Sequence, residues 1–259
     1  LTDGAKRDGE VLFKGKDILK MSAKPAYALR GPSVGMIFQE PLTRLNPLMR
    51  ISQHFEETLH QHRSELSKAE IREQATEVLR LMGIPPTRYR SYPHEFSGGM
   101  RQRLMIALAL VLRPAFIVAD EPTTALDVLV EAQIVSILND LRRNFDTALL
   151  LITHNLGIVA DVADRVVVLK EGRVVESGPV QPVFAAPTHP YTQRLLDSVP
   201  GRHGFAVRPL APGAIPLLEV RNLEKRYPLA AMFGARRLAN VAAVDNVSFV
   251  LIRAEAGEG

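Results

Sequence analysis

The sequence predicts an α/β fold built on a mostly parallel sheet, and three observations carry that prediction. Two apolar runs of strand length, "AFIVADEP" at 115–122 and "ALLLITH" at 148–154, each end in charged or ionisable residues. Such runs suit parallel strands whose two faces are covered, with polar chemistry at their carboxyl ends. Segments of helical periodicity stand before, between and after them, at about 100–112, 128–143 and 156–163. Strand and helix in alternation imply a parallel sheet, whose strand ends face one shared crevice.

The elements follow in order. Residues 9–19, "GEVLFKGKDIL", read as a short strand and turn. Ser67 and Glu70 have capping-box spacing, and Ile71, Ala75, Val78, Leu79 and Met82 fall on one helical stripe before Gly83 and Pro85 stop it. The next helix runs from about Met100 to Leu112 and is stopped by Pro114. "RVVVLKEGRVVESG" at 165–178 reads as a hairpin turning at Glu171-Gly172. Proline and glycine crowd 200–216 and periodicity vanishes there, so that stretch reads as a linker. Beyond it "LLEVRNLEKRYP" and "VAAVDNVSFVLI" read as two further strands.

Composition removes several chemistries. The 259 residues contain no cysteine, which excludes disulfides, thiolate zinc sites, cysteine nucleophiles and cysteine-held clusters. The net charge of +4 is spread among acids, and no basic block with interleaved aromatics occurs, so no nucleic-acid partner is expected. The longest uninterrupted apolar run, Leu104 to Leu112, is far below the roughly 20 residues a spanning helix needs.

Two stretches carry chemistry. In "HEFSGGMRQR", residues 94–103, a serine and two glycines precede a helix, where unpaired N–H groups and the positive end of the helix dipole favour an anion. Asp120 and Glu121 end a strand, where one acid can reach a magnesium ion and its neighbour can orient or deprotonate a water. A full phosphate loop, Gly-x-x-x-x-Gly-Lys-Ser/Thr, occurs nowhere in the 259 residues. Its nearest imitation, "GEVLFKGK" at 9–16, has five residues between its glycines and is followed by Asp17, an acid that would repel phosphate.

Taken together, Gln39 in "GMIFQEP", then "FSGGMRQR", "FIVADEP", "TTALD" at 123–127 and "LLLITH" ending at His154 closely resemble the ATP-binding cassette (ABC) ATPases, over nearly all of 9–186. The resemblance implies a P-loop NTPase-type parallel sheet with an inserted helical subdomain at about 42–113, incomplete on its N-terminal side. It implies ATP and Mg2+ as cofactors. Asp120 then serves the metal, Glu121 is the catalytic base, His154 senses the γ-phosphate, and Gln39 links metal and attacking water to the helical subdomain. Ser97, Gly98 and Gly99 contact the γ-phosphate of ATP held by an opposite cassette, and Asp127 communicates between the two sites. Phe96 and Met100 depart from the usual leucine and glutamine of that loop.

The stretch "APTHPYTQRLLDSVP" at 186–200 is similar to the tail of ATPases in dipeptide, oligopeptide, nickel and glutathione importers. The segment 217–259 resembles the opening strands of a second cassette, with Tyr227 where an aromatic stacks on adenine. On this reading residues 1–186 are a first cassette from after its P-loop, 187–216 an importer-type extension and linker, and 217–259 the start of a second cassette. A piece of a tandem two-cassette protein fits this order, as does a permuted cassette whose tail strands complete its own sheet. The resemblance further implies a second cassette and two membrane permease subunits as partners, an extracytoplasmic solute-binding protein indirectly, and a peripheral place on the cytoplasmic face of a bacterial membrane. A soluble non-transport ABC ATPase and a non-hydrolysing interaction module are the competing classes.

Overall fold

The computed structural model describes residues 8–39, 44–124, 126–144, 147–199, 216–228 and 240–252. Two compact units divide the chain, Leu1–Arg202 and His203–Gly259. In the first, strands β1 (Leu12–Phe13) and β2 (Lys16–Asp17) form a small hairpin whose turn places Lys14 and Gly15 at φ of 49° and 75°. Helix α1 (Ala23–Leu29) leads into β3 (Val34–Ile37). A long helical insertion follows, with α2 (Ile51–His62), α3 (Lys68–Leu81) and α4 (Gly98–Leu110). The chain then returns as β4 (Phe116–Asp120), α5 (Val128–Asn144) and β5 (Ala148–Ile152).

Strands β3, β4 and β5 form a three-stranded parallel sheet in that order, with Ile37 opposite Ala119 and Asp120 opposite Ile152. Aliphatic residues make these strands, because their side chains pack on a pleated surface. The register brings the carboxyl ends of all three to one edge.

From Leu104 onward helix α4 is apolar all round, and the helix buries Gly99, Gln102, Leu104, Met105, Ile106, Ala107 and Leu110. A helix of that kind lies inside a structure. Here it touches β3, α2, α3 and α5, so the helical insertion and the sheet share one core. Phe55, Leu59, Ile71 and Leu79 fill that core from the insertion and Ile117, Ile134 and Leu138 from the sheet side, all fully buried. The box at the start of α3 closes as its spacing predicts: Ser67 N–H donates to Glu70 Oε2 at 2.8 Å and Glu70 N–H to Ser67 Oγ at 3.3 Å.

Two boundaries differ from the sequence expectation. Helix α4 begins at Gly98 rather than near Met100, because Ser97 is its N-cap and accepts from the Met100 N–H. Strand β5 stops at Ile152, because Asn155 N–H turns back to Thr153 Oγ1 and Asn155 then caps α6 (Leu156–Val162) through Gly157 N–H. Strands β6 (Arg165–Lys170) and β7 (Arg173–Pro179) form the expected hairpin, with Glu171 and Gly172 both at positive φ, as a tight two-residue turn requires. Short α7 (Val180–Ala185) and α8 (Pro190–Asp197) complete the unit.

In the second unit, β8 (Pro216–Pro228) and β9 (Asn240–Ile252) pair antiparallel. The linker read at 200–216 lies almost wholly outside the described residues.

Candidate functional site

The carboxyl ends of β3, β4 and β5 carry Gln39, Asp120 with Glu121, and His154. Gln39 lies two residues beyond Ile37, Glu121 one beyond Asp120 and His154 two beyond Ile152, so the strand register sets them along one sheet edge. At its centre is the Glu121 carboxylate, gripped on both oxygens. His154 Nδ1 lies 2.7 Å from Oε1, and the Thr124 hydroxyl donates to Oε2 at 2.6 Å. Burial pushes the Glu121 carboxyl up, but the hydrogen bonds from Thr124 and His154 outweigh it and hold the group below its ordinary value. Glu121 is therefore ionised at neutral pH and acts only as an acceptor, so Nδ1 of His154 carries the hydrogen. The Glu121 side chain is 20% exposed and that of His154 77%, which leaves the imidazole open to solvent on its other side.

Asp120 is half-buried, and among the described residues no hydrogen bond or ion pair engages its carboxylate. Gln39 is exposed. Both present oxygen donors with no competing partner among the described residues.

The Ser97 loop is built separately. Phe96, only 3% exposed, anchors it in the core under the Arg88 guanidinium, and Arg101 Nη1 donates to the Phe96 carbonyl at 2.7 Å. Ser97 and Gly98 are exposed at the start of α4, and nothing lies within 4 Å of where a Gly98 Cβ would stand. Gly99 is buried against Val130 of α5. Asp127 caps α5 by accepting the Val130 N–H at 2.9 Å, so the Asp127 turn and the glycine loop meet through Val130. Among the described residues, Ser97 makes no hydrogen bond to Glu121 or His154.

Residues 2–124 match the family described as ABC transporter. The oligopeptide transport ATP-binding protein OppD of Bacillus subtilis (strain 168) is 50% identical over 194 residues, which cover 74% of this chain and 54% of that protein. A probable peptide ABC transporter ATP-binding protein of Sinorhizobium fredii is 47% identical over 81% of this chain and 64% of its own length. Among solved structures, cbiO1 from Clostridium perfringens, described as part of the ABC transporter complex cbiONQ, is 31% identical with a TM-score of 0.61, over 69% of each chain. The chain belongs to the ABC transporter family. It spans little more than half the length of the oligopeptide relative. The bacterial ABC transporter cassette MJ0796, solved as a dimer and in a dimeric post-hydrolysis state bound to ADP and Pi, is 26% identical with a TM-score of 0.60.

Within this ABC transporter chain the structure brings Glu121 and His154 into direct contact and sets Asp120 and Gln39 on the same edge. It holds Ser97 and Gly98 exposed at the start of α4, with Gly99 buried beneath them against the Val130 that Asp127 caps. Tyr227 pairs with Val241 near the end of β8, and its side chain lies outside the described residues. Sequence reasoning missed Thr124 and Val130. The i to i+3 spacing from Glu121 to Thr124 was a usable signal for the first, since a turn brings such residues together; nothing local pointed to Val130.

Proposed function

We propose that this chain supplies the catalytic base and the phosphate-sensing loop of an ATP-hydrolysing subunit that energises import of peptides or related small solutes through a membrane permease. The observation that carries the reading is the ionised Glu121 carboxylate at the sheet edge with His154 Nδ1 on its Oε1. Such a carboxylate takes the proton of a water as that water attacks the γ-phosphorus, while the bond from phosphorus to the bridging oxygen breaks and ADP leaves. The exposed His154 ring is free to turn so that the same Nδ1–H donates to the γ-phosphate, and it releases Glu121 when it does so.

Asp120 and Gln39 fit Mg2+, which takes hard oxygen ligands and keeps waters and phosphate oxygens for the rest of its shell. When bound, the ion neutralises charge on the phosphate oxygens. Ser97 and Gly99 present a hydroxyl and a helix-start N–H to the ATP of a second cassette, and the exposed Gly98 leaves that approach open. Two permease subunits receive the helical insertion, a solute-binding protein delivers the cargo, and the assembly sits on the cytoplasmic face of the membrane. The 217–259 segment is read as opening a second cassette, in which Tyr227 would be the aromatic that stacks on adenine.

The test uses the intact gene product reconstituted with its permease in liposomes. Glu121→Gln is expected to lower peptide-stimulated ATP turnover by about 10²- to 10⁴-fold, the range for loss of a general base, while ATP still binds. Turnover unchanged by this substitution would overturn the reading.

A further inference from the structure

We infer that Thr124 is a positioning residue for ATP hydrolysis: it is the permanent grip on Glu121, and His154 is the releasable one. The inference rests on the reading of Glu121 as the base. The two contacts on the carboxylate look alike in length, 2.6 Å from Thr124 Oγ1 to Oε2 and 2.7 Å from His154 Nδ1 to Oε1. Their settings differ. Thr124 belongs to the same turn as Glu121, and its N–H donates to the Glu121 carbonyl at 3.3 Å. Pro122 and Thr123 between them are buried, which fixes the turn. Threonine is stiff at χ1, so its hydroxyl is aimed without further ordering. His154 reaches Glu121 from another strand and is largely exposed.

The turn also explains why a second grip is needed. Glu121 has φ of 48°, a left-handed conformation disfavoured for any residue with a Cβ. Its N–H donates to the Ile152 carbonyl at 2.9 Å, which ties the backbone to β5 and leaves the side chain to be aimed by its own partners. When His154 turns to the phosphate, Oε1 is freed and Oε2 stays with Thr124. Oε1 is then the oxygen that takes the proton from water, and Thr124 keeps it in place during that step.

The intact gene product is assayed with Thr124→Val, which keeps the shape and removes the donor, and with Thr124→Ser, which keeps the donor. Misplacing a reacting group by about 1 Å costs on the order of 100-fold, so Thr124→Val is expected to lower kcat by about tenfold or more with KM for ATP unchanged. Thr124→Ser should restore kcat, and Thr124→Val should add no further loss in a Glu121→Gln background. If Thr124→Val fails to fold by circular dichroism, Thr124→Ala removes the same donor and takes its place. A kcat matching that of the unmodified protein, a parallel rise in KM, or failure of serine to rescue would each overturn the inference. Full turnover by Glu121→Gln would overturn instead the base assignment beneath it.

Discussion

Gly98 and Gly99 stand side by side and do different work. A Cβ added at Gly99 would lie 2.4 Å from Val130 Cγ1, 3.1 Å from Cγ2 and 3.3 Å from Cβ, whereas at Gly98 it would meet open space. Valine is β-branched and sits near the start of α5, with its N–H fixed on Asp127, so it has little room to yield. Gly99→Ala is therefore expected to destabilise by about 1–3 kcal/mol, the usual cost of overpacking. Gly98→Ala is expected to be near neutral or stabilising by about 0.5 kcal/mol, through the reduced freedom of the unfolded chain. Urea unfolding midpoints check both, and Val130→Ala should recover most of the Gly99→Ala loss. An unshifted midpoint in Gly99→Ala would show that α5 does not press on this loop. The two glycines were legible in the sequence only as a pair, expected there to let a phosphate approach. Their division of labour was not, because it depends on a valine brought in by tertiary packing.

Elements whose signals are local were legible in the sequence: the Ser67–Glu70 box, the Glu171–Gly172 turn and the apolar run of β4 all form where the residues place them. The exposure of β5 was not, since "ALLLI" reads as a covered strand but Leu150 and Ile152 are 48% and 46% exposed. Which neighbours cover a strand is a tertiary fact. The "HPYT" stretch is a further case, because its partner comes from a different element. Glu176 of β7 accepts from Thr188 N–H at 2.8 Å, Thr188 Oγ1 at 3.0 Å and His189 N–H at 3.2 Å, and Lys170 of β6 lies over the Tyr191 ring at 5.4 Å. The Thr188 N–H first, then the Thr192 side chain, the His189 N–H and the Thr188 hydroxyl, hold the Glu176 carboxyl at about 2, well below its ordinary 4.5. A carboxyl whose folded value is depressed stabilises the fold above its unfolded value and loses that contribution as pH falls through the folded one. The attachment of α8 to the hairpin should thus be constant above about pH 5 and weaken between 4.5 and about 2. Amide exchange at Thr188 and His189, normalised to intrinsic rates, reads this directly. Glu176→Gln should lack the acid step, and an identical step in that variant would assign it to another group.

At the scale of the whole molecule, the family places this chain among proteins that it matches over only part of their length, 54% of the oligopeptide relative. The structure explains why part of a site is so recognisable. Strand ends, a capped helix start and a gripped carboxylate are each made by contacts within Leu1–Arg202. What these 259 residues do not contain is the Gly-x-x-x-x-Gly-Lys-Ser/Thr loop whose backbone and lysine hold the β- and γ-phosphates. In phosphoryl transfer nearly all the catalysis is positioning and charge stabilisation, and removal of a single oxyanion donor elsewhere costs about 10²- to 10³-fold. With the lysine and several N–H donors absent together, the 259-residue chain alone is expected to turn over ATP far below the roughly 1 s⁻¹ at the low end of typical enzymes. Phosphate release by the purified chain, with and without Glu121→Gln, makes the comparison. Background release equal in both is the expected result. Robust release that Glu121→Gln abolishes would mean that these residues assemble a phosphate cradle from some other part of the chain, and the reading of Ser97 and Gly99 as donors to an opposite cassette would fail with it.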